Sequence, residues 1–102
     1  MKIEWSNYAK DQRHQVANYI RERFGYKYKH KFIQEVDKIV RMLMQHPNLG
    51  SIDPLFADRP IAYRSVVISG LSKMVYYIDG DIIYIAAFWD CRREPQVQAA
   101  QI

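Results

Sequence analysis

The segment KMVYYIDGDIIYIAAFW, residues 73–89, decides the fold that we predict for this chain. Two apolar runs, 73–78 and 82–89, flank the tripeptide DGD (79–81), and an Asp-Gly pair between apolar runs is a strong signal of a tight β-hairpin. The second run is apolar on both faces, so we expect it to lie in the middle of a sheet. The hairpin therefore predicts the centre of the core.

A helix with a clear apolar stripe precedes this hairpin. The stripe repeats at the three- and four-residue spacing of an α-helix and comprises Phe32, Ile33, Val36, Ile39, Val40, Leu43 and Met44. Pro47 ends the helix because proline lacks the N–H group that a helix interior needs. The basic segment YKYKHK (26–31) stands before the stripe. We interpret it as a polar turn, and contact with an anionic partner is the functional alternative.

A first strand and a first helix open the sequence. Residues 2–5 suit a short strand, and Ser6 or Asn7 suits the N-cap of a helix. One face of this helix is marked by a four-residue ladder, which consists of Tyr8, Val16, Ile20 and Phe24. Gly25 is a natural end for the helix, because glycine adopts the backbone conformation that terminates helices.

The predicted elements follow the order β-α-α-β-β-β in a single domain, residues 1–102. The run IAYRSVVI (61–68) supplies the remaining strand, and the turn SGLS (69–72) joins it to the hairpin. The apolar helix stripes need a surface to cover, and the sheet supplies it. We therefore predict an α+β fold in which a two-helix hairpin packs on one face of an antiparallel sheet. The other face is then open or partly open to solvent.

The amino-acid composition limits the classes of function that we expect for this chain. The sequence has 15 Lys and Arg residues against 11 Asp and Glu residues, and the net charge of +4 favours an anionic partner weakly. Its one cysteine, Cys91, excludes an internal disulfide, and the three histidines lack metal-ligand spacing, so we expect neither metal nor cofactor. No apolar run reaches the ~18 residues of a membrane span, and no signal region is evident. We expect a cytoplasmic protein.

The order of elements and four local motifs resemble the RelE/ParE superfamily of bacterial toxins from type II toxin–antitoxin modules. The motifs are HPNLG (46–50), YRSVVISG (63–70), SKMVYYIDGD (72–81) and IIYIAAFWDCRREP (82–95). The resemblance implies a plasmid-stabilisation toxin that is neutralised by a cognate antitoxin. RelE-like proteins cut messenger RNA in the ribosomal A site, whereas ParE-like proteins inhibit DNA gyrase without known nuclease chemistry.

Two basic residues on the predicted strands are candidates for a catalytic site. Arg64 lies on a strand otherwise suited to burial, where its planar guanidinium could clamp a phosphate. The alternative is a charge that protects a sheet edge. Lys73 falls where RelE-like enzymes carry an arginine that stabilises the reacting phosphate, and the alternative is a solvated strand end.

Three further candidates follow the central strand. Arg92 and Arg93 stand at the exit of this stiff strand, which would fix their position toward a phosphate. The alternative is a pair of solvated charges or a salt bridge. Asp90 occupies the place where many family members carry a histidine. Because two arginines beside it favour its charged form, we expect it to orient an arginine rather than to act as a general base.

Candidate RNA-binding residues are Tyr63 and Tyr77 on the sheet and Lys27 and Lys29 before the second helix. We expect Tyr76, by contrast, to belong to the core. RelE-like enzymes carry a tyrosine after the arginine motif, and no tyrosine follows Tyr84 in this chain. We favour binding and possible cleavage of ribosome-associated messenger RNA. The alternative is ParE-like inhibition of gyrase, which the missing tyrosine supports.

Overall fold

The computed structural model describes residues 1–68, 72–90, 99–100 and 102. Its elements are β1 (Lys2–Trp5), α1 (Asn7–Phe24), α2 (Tyr26–Gln45), β2 (Ser51–Ile52), a 3-10 turn (Pro54–Phe56), β3 (Arg64–Ile68), β4 (Ser72–Asp79) and β5 (Ile82–Asp90). The predicted order β-α-α-β-β-β is confirmed, and β2 is a short addition that the sequence pattern did not indicate. The strand predicted to start at residue 61 starts three residues later.

The strands form one sheet in the order β1-β5-β4-β3-β2. β5 has a neighbour on each side, as its two apolar faces predicted. β4 pairs with β3 and β5 in antiparallel fashion, but β1 pairs with β5 in parallel. The sheet is therefore mixed rather than wholly antiparallel. A parallel neighbour requires a long crossover connection, and the helices and strands between β1 and β5 provide it.

A β-bulge in β5 determines which side chains reach each face of the sheet. Val75 pairs with Ala87 and the next residue of β4 pairs with Ile85, so Ala86 is the extra residue. As a result Ile85 and Phe88 both pack on the helix side, while Ala87 and Trp89 pack on the other side. The bulge lets one strand contribute large apolar side chains to both layers.

The helices cover one face of the sheet and enclose the larger core. Its buried residues are Ala9, Ala17, Phe32, Val36, Leu43, Ile68, Met74, Tyr76, Ile83, Ile85 and Phe88. A smaller cluster lies on the opposite face and comprises Phe56, Val75, Ala87, Trp89 and Ala99. The prediction that this face is open or partly open is refined by this cluster, because the 3-10 turn, Ala99 and Ile102 cover part of the face.

The junction between the helices differs from the prediction. The segment 26–31 is not a turn but the first turns of α2, and Gly25 alone separates the helices. Gly25 has φ 94°, a left-handed value that glycine adopts without steric cost. Because this single residue reverses the chain, Phe24 is exposed instead of facing the core. Within the described residues, neither helix is both long and apolar enough to cross a membrane.

Candidate functional site

Arg64 lies on the helix side of the sheet and is used within the fold. It stands directly opposite Tyr76 in the β3–β4 register, and residues paired in this way project from the same face. Tyr76 is completely buried in the helix-side core, as predicted. The Nη1 atom of Arg64 donates a hydrogen bond of 2.8 Å to the carbonyl oxygen of Gly50, in the loop after α2.

The Tyr76 hydroxyl holds the same loop. It donates to the carbonyl oxygen of Pro47 at 2.7 Å and accepts from the N–H group of Gly50 at 2.9 Å. Burial raises the pKa of Tyr76, although the Gly50 hydrogen bond and the charge of Arg64 oppose the rise. We call Arg64, Tyr76, Pro47 and Gly50 the loop clamp. Within it, the guanidinium of Arg64 acts as a structural donor.

Lys73 projects from the opposite face of the sheet. It pairs with Trp89, whose indole lies in the smaller cluster. The Nζ atom of Lys73 is 2.8 Å from Oδ2 of Asp53 and 5.7 Å from the centroid of the Trp89 ring. Both the carboxylate and the ring therefore engage the ammonium group within the chain.

Asp53 is the buried partner of this ion pair, and the sequence interpretation missed it. Its side chain caps the 3-10 turn by accepting from the N–H group of Leu55 at 3.0 Å. Burial would raise the pKa of Asp53, but hydrogen bonds from Lys73, Leu55 and Ser65 together with the charge of Lys73 hold it below its ordinary value. An aspartate directly before Pro54 is a recognisable N-cap, and this signal was available in the sequence.

The end of β5 lies apart from Arg64. Asp90 is half-buried and pairs with Ser72, whereas Arg64 pairs with Tyr76, four residues farther along β4. At the usual rise of a strand, this separation is about 13 Å. Arg92 and Arg93 lie outside the described residues. The described members of the predicted catalytic set, Arg64, Lys73 and Asp90, are thus split between two faces and two positions along the sheet.

The two predicted tyrosines of the sheet do come together. The Tyr63 and Tyr77 ring centroids are 5.5 Å apart, and Tyr84, which sequence reasoning had not selected, stacks on Tyr77 at 5.1 Å. Tyr63 also contacts Phe56 at 4.8 Å. These rings lie on the face opposite the helices, and the three tyrosines line a groove of about 370 Å³. Alternation along β5, with Ile83 buried, could have identified Tyr84.

Carboxylates lie near Tyr84, at one end of the tyrosine row formed by Tyr63, Tyr77 and Tyr84. Partial desolvation raises the pKa of Tyr84, and the neighbouring carboxylates of Glu4, Asp79 and Asp81 raise it further. A negative neighbourhood of this kind disfavours a phosphate at Tyr84. The groove therefore fits an apolar or aromatic contact better than it fits a nucleic-acid backbone.

Lys27 and Lys29 lie in the first turns of α2, within the helix layer. The tyrosine row lies on the other face of the sheet, so the four predicted RNA-binding residues do not form one surface. Among the residues that the structure describes, no three His, Cys, Asp or Glu side chains are grouped as metal ligands.

Comparisons with known proteins give the family from a family model and the fold from solved structures. The family model for "ParE toxin of type II toxin-antitoxin system, parDE" matches residues 3–95. A chain of the "Chromosomal ParDE TA system from P. aeruginosa" is 19% identical with a TM-score of 0.71, over 88% of this chain and 95% of that one. The "YoeB/ParE toxin from Agrobacterium tumefaciens" is 19% identical with a TM-score of 0.60, over 88% and 98%. At this identity the structures show a shared fold. No curated protein sequence matches significantly.

Proposed function

This chain belongs to the ParE toxin family of type II toxin–antitoxin systems, and from this membership we propose that it inhibits DNA gyrase by binding rather than by cutting RNA. Family membership implies an antitoxin partner that neutralises it. We therefore place gyrase inhibition, which the sequence interpretation gave as the alternative, ahead of binding and cleavage of messenger RNA.

One observation carries this proposal: Arg64 and Lys73 project from opposite faces of the sheet. Stabilising a reacting phosphate requires cationic groups that converge on the same oxygens. Side chains on opposite faces of a sheet cannot meet at one phosphate. Each of these two cations also has a partner at 2.8 Å within the chain, and losing that partner would cost stability.

The negative neighbourhood of Tyr84 gives further support. A ribosome-dependent nuclease would guide an RNA strand across the sheet, and the tyrosine row is the aromatic surface there. Glu4, Asp79 and Asp81 raise the pKa of Tyr84 and would repel the phosphates of such a strand. A protein target such as gyrase has no comparable need for positive charge at this groove.

Cleavage of ribosome-bound messenger RNA is the second candidate, and one observation favours it. Lys73 pairs with Trp89, so it lies next to the end of β5, after which Arg92 and Arg93 follow in the sequence. A reduced nuclease site would then consist of Lys73, Arg92 and Arg93, without Arg64 and without Asp90, whose pairing with Ser72 puts it on the face opposite Lys73.

The two candidates are separated by assaying purified toxin in parallel against gyrase and against programmed ribosomes. We expect loss of DNA supercoiling by gyrase, with ribosome-bound messenger RNA left intact. Addition of the antitoxin should restore supercoiling. Cleaved messenger RNA together with unaffected supercoiling would contradict the proposal. Cleavage that disappears in an Arg92→Ala, Arg93→Ala double variant of unchanged stability would instead establish the second candidate.

A further inference from the structure

The junction of α1 and α2 carries the excess positive charge of the chain. We call residues 19–31 the helical tip. They contain five cations, Arg21, Arg23, Lys27, Lys29 and Lys31, and one carboxylate, Glu22, for a net charge of +4. The other 89 residues carry ten cations and ten carboxylates and are neutral overall. The net charge of +4 for the whole chain is therefore concentrated in one structural feature.

The helical tip also exposes four large aromatic side chains. The exposed fractions are 72% for Tyr26, 59% for Phe24, 55% for Tyr28 and 42% for Tyr19. Single exposed aromatic residues are common on protein surfaces, but a group of four within ten residues is a feature of interaction sites. These rings lie outside both core clusters. Their exposure therefore suggests contact with a partner.

The rings and the cations of the helical tip are interleaved. The guanidinium carbon of Arg21 lies 5.8 Å from the Tyr26 ring centroid, and that of Arg23 lies 5.9 Å from the Tyr19 ring centroid. The Phe24 and Tyr28 rings contact each other at 6.0 Å. Two of the five cations of the tip, Arg21 and Arg23, therefore lie close to aromatic faces. Because Gly25 alone reverses the chain, side chains from both helices contribute to it.

The lysines at the start of α2 are unfavourably placed with respect to the helix dipole. α2 begins without a side-chain cap and without an acidic residue in its first turn, and Lys27 lies in that turn. A helix N-terminus has a positive partial charge, so a cation there lowers helix stability. The same residues would be favourable if a negatively charged partner lay against the tip. Interaction with the helix dipole therefore does not account for these lysines.

We propose that the helical tip binds single-stranded nucleic acid. Its lysines and arginines would contact the phosphates, and its exposed rings would stack on unpaired bases, as in other single-strand binding surfaces. A duplex hides its base faces and could use only the cations. Rings and phosphate contacts do not read the sugar, so DNA and RNA strands should bind alike. This inference does not depend on the proposed function, because it concerns the toxin without gyrase.

The experiment measures fluorescence anisotropy of labelled 20-nucleotide oligo(dT), oligo(U) and a 20-base-pair duplex as toxin is added. We expect both single strands to bind at least fivefold more tightly than the duplex. A Tyr26→Ala, Tyr28→Ala double variant should lose at least fivefold in affinity for the single strands. It should lose much less for the duplex, because only stacking has been removed.

Salt dependence tests the cations separately. A Lys27→Gln, Lys29→Gln double variant should reduce the slope of log affinity against log salt by about 1.4, since each phosphate contact in a single strand contributes about 0.7. The matched control is Lys38→Gln with Arg41→Gln, which removes two charges from the exposed part of the same helix beyond the tip. The control should leave the slope unchanged. Thermal unfolding of each variant verifies that it is folded.

Three outcomes would overturn the inference. The first is equal binding of duplex and single strands, and the second is an equal loss of slope in the tip variant and its control. The third is absence of nucleic-acid binding by the wild-type toxin, and loss of gyrase inhibition in the tip variants would then make the tip a protein contact. Because binding is measured without gyrase or ribosomes, failure of the proposed function would leave this result unchanged.

Discussion

The basic residues of the sheet and those of the helical tip have different surroundings. Arg64 and Lys73 each have an oxygen partner at 2.8 Å, from Gly50 and Asp53 respectively. In the tip, Arg21 and Arg23 lie instead near aromatic rings that are themselves exposed. A cation on a buried strand looks functional in the sequence because burial of an unpaired charge is costly, but an internal partner removes that cost. The comparison indicates that Arg64 and Lys73 stabilise the fold, whereas the tip cations are available to a partner.

The largest effect should come from the loop clamp. A Cβ atom on Gly50 would lie 2.7 Å from the carbonyl oxygen of Ser65 and 2.9 Å from the Tyr76 ring. Relief of these contacts would require the backbone of β3 to move, which is energetically costly. We expect Gly50→Ala to lower the free energy of unfolding in urea by about 3 kcal/mol. The control is Gly80→Asn, because nothing lies near a Cβ atom there and Asn tolerates its φ of 62°. A Gly50→Ala protein of normal stability would contradict the close packing of Gly50 in the loop clamp.

The ion pair on the opposite face should give the next largest effect. Lys73→Met leaves the buried carboxylate of Asp53 without its cation, and we expect a loss of about 2 kcal/mol at pH 7. Adding Asp53→Asn removes the stranded charge, so the double variant should be more stable than Lys73→Met alone. If Lys73 served only an external phosphate, its removal would leave stability unchanged.

The same pair predicts a pH dependence. The pKa of Asp53 is lower in the folded chain than its ordinary value of 3.8. Its contribution to stability is therefore fully present above about pH 4 and is lost as the pH falls through the folded pKa. Urea unfolding at pH 7 and at successively lower pH should show a smaller acid loss in Lys73→Met than in the wild type. An identical acid loss in both proteins would contradict the assignment.

A smaller loss is expected for Tyr76→Phe. The substitution removes the hydroxyl that bonds to Pro47 and Gly50, and it leaves the buried N–H group of Gly50 without an acceptor. We expect a loss of about 1.5 kcal/mol in the free energy of unfolding. Tyr77→Phe is the matched control, since the Tyr77 ring lies on the other face. Equal effects of the two substitutions would mean that the clamp hydrogen bonds contribute little.

The sequence predicted the hairpin well because its signals are local. The DGD turn and the apolar runs beside it place β4 and β5 within one residue at each end. Alternation also grouped Tyr77 with Lys73 and assigned Tyr76 to the core. Alternation within a strand does not give the register between strands. The pairing of Arg64 with Tyr76 sets the face of Arg64, and that pairing follows from the tertiary structure.

The helical conformation of residues 26–31 was missed for a different reason. Residues 26–31 alternate between cations and aromatic residues and have no apolar stripe, so the pattern that identifies buried helices is absent. Lysine is nevertheless a good helix former, and Gly25 allows α2 to begin directly after α1. Helix formation here follows from propensity and from continuation of α2, neither of which a search for buried faces detects. Asp53 was missed because its partner, Lys73, lies 20 residues away in the sequence.

The smallest expected effect has the opposite sign and tests the comparison most directly. Lys27→Gln with Lys29→Gln removes two positive charges from the N-terminal turns of α2 while keeping a good helix former at each position. We expect the free energy of unfolding to rise by about 0.5 kcal/mol at low salt, and the gain should shrink as salt screens the helix dipole. Lys38→Gln, in the middle of the same helix, should produce no such gain. A stability loss comparable to that of Lys73→Met would mean that the tip cations serve the fold after all. A gain would mean that the chain retains them at the expense of its own stability, as expected for residues whose partner lies outside it.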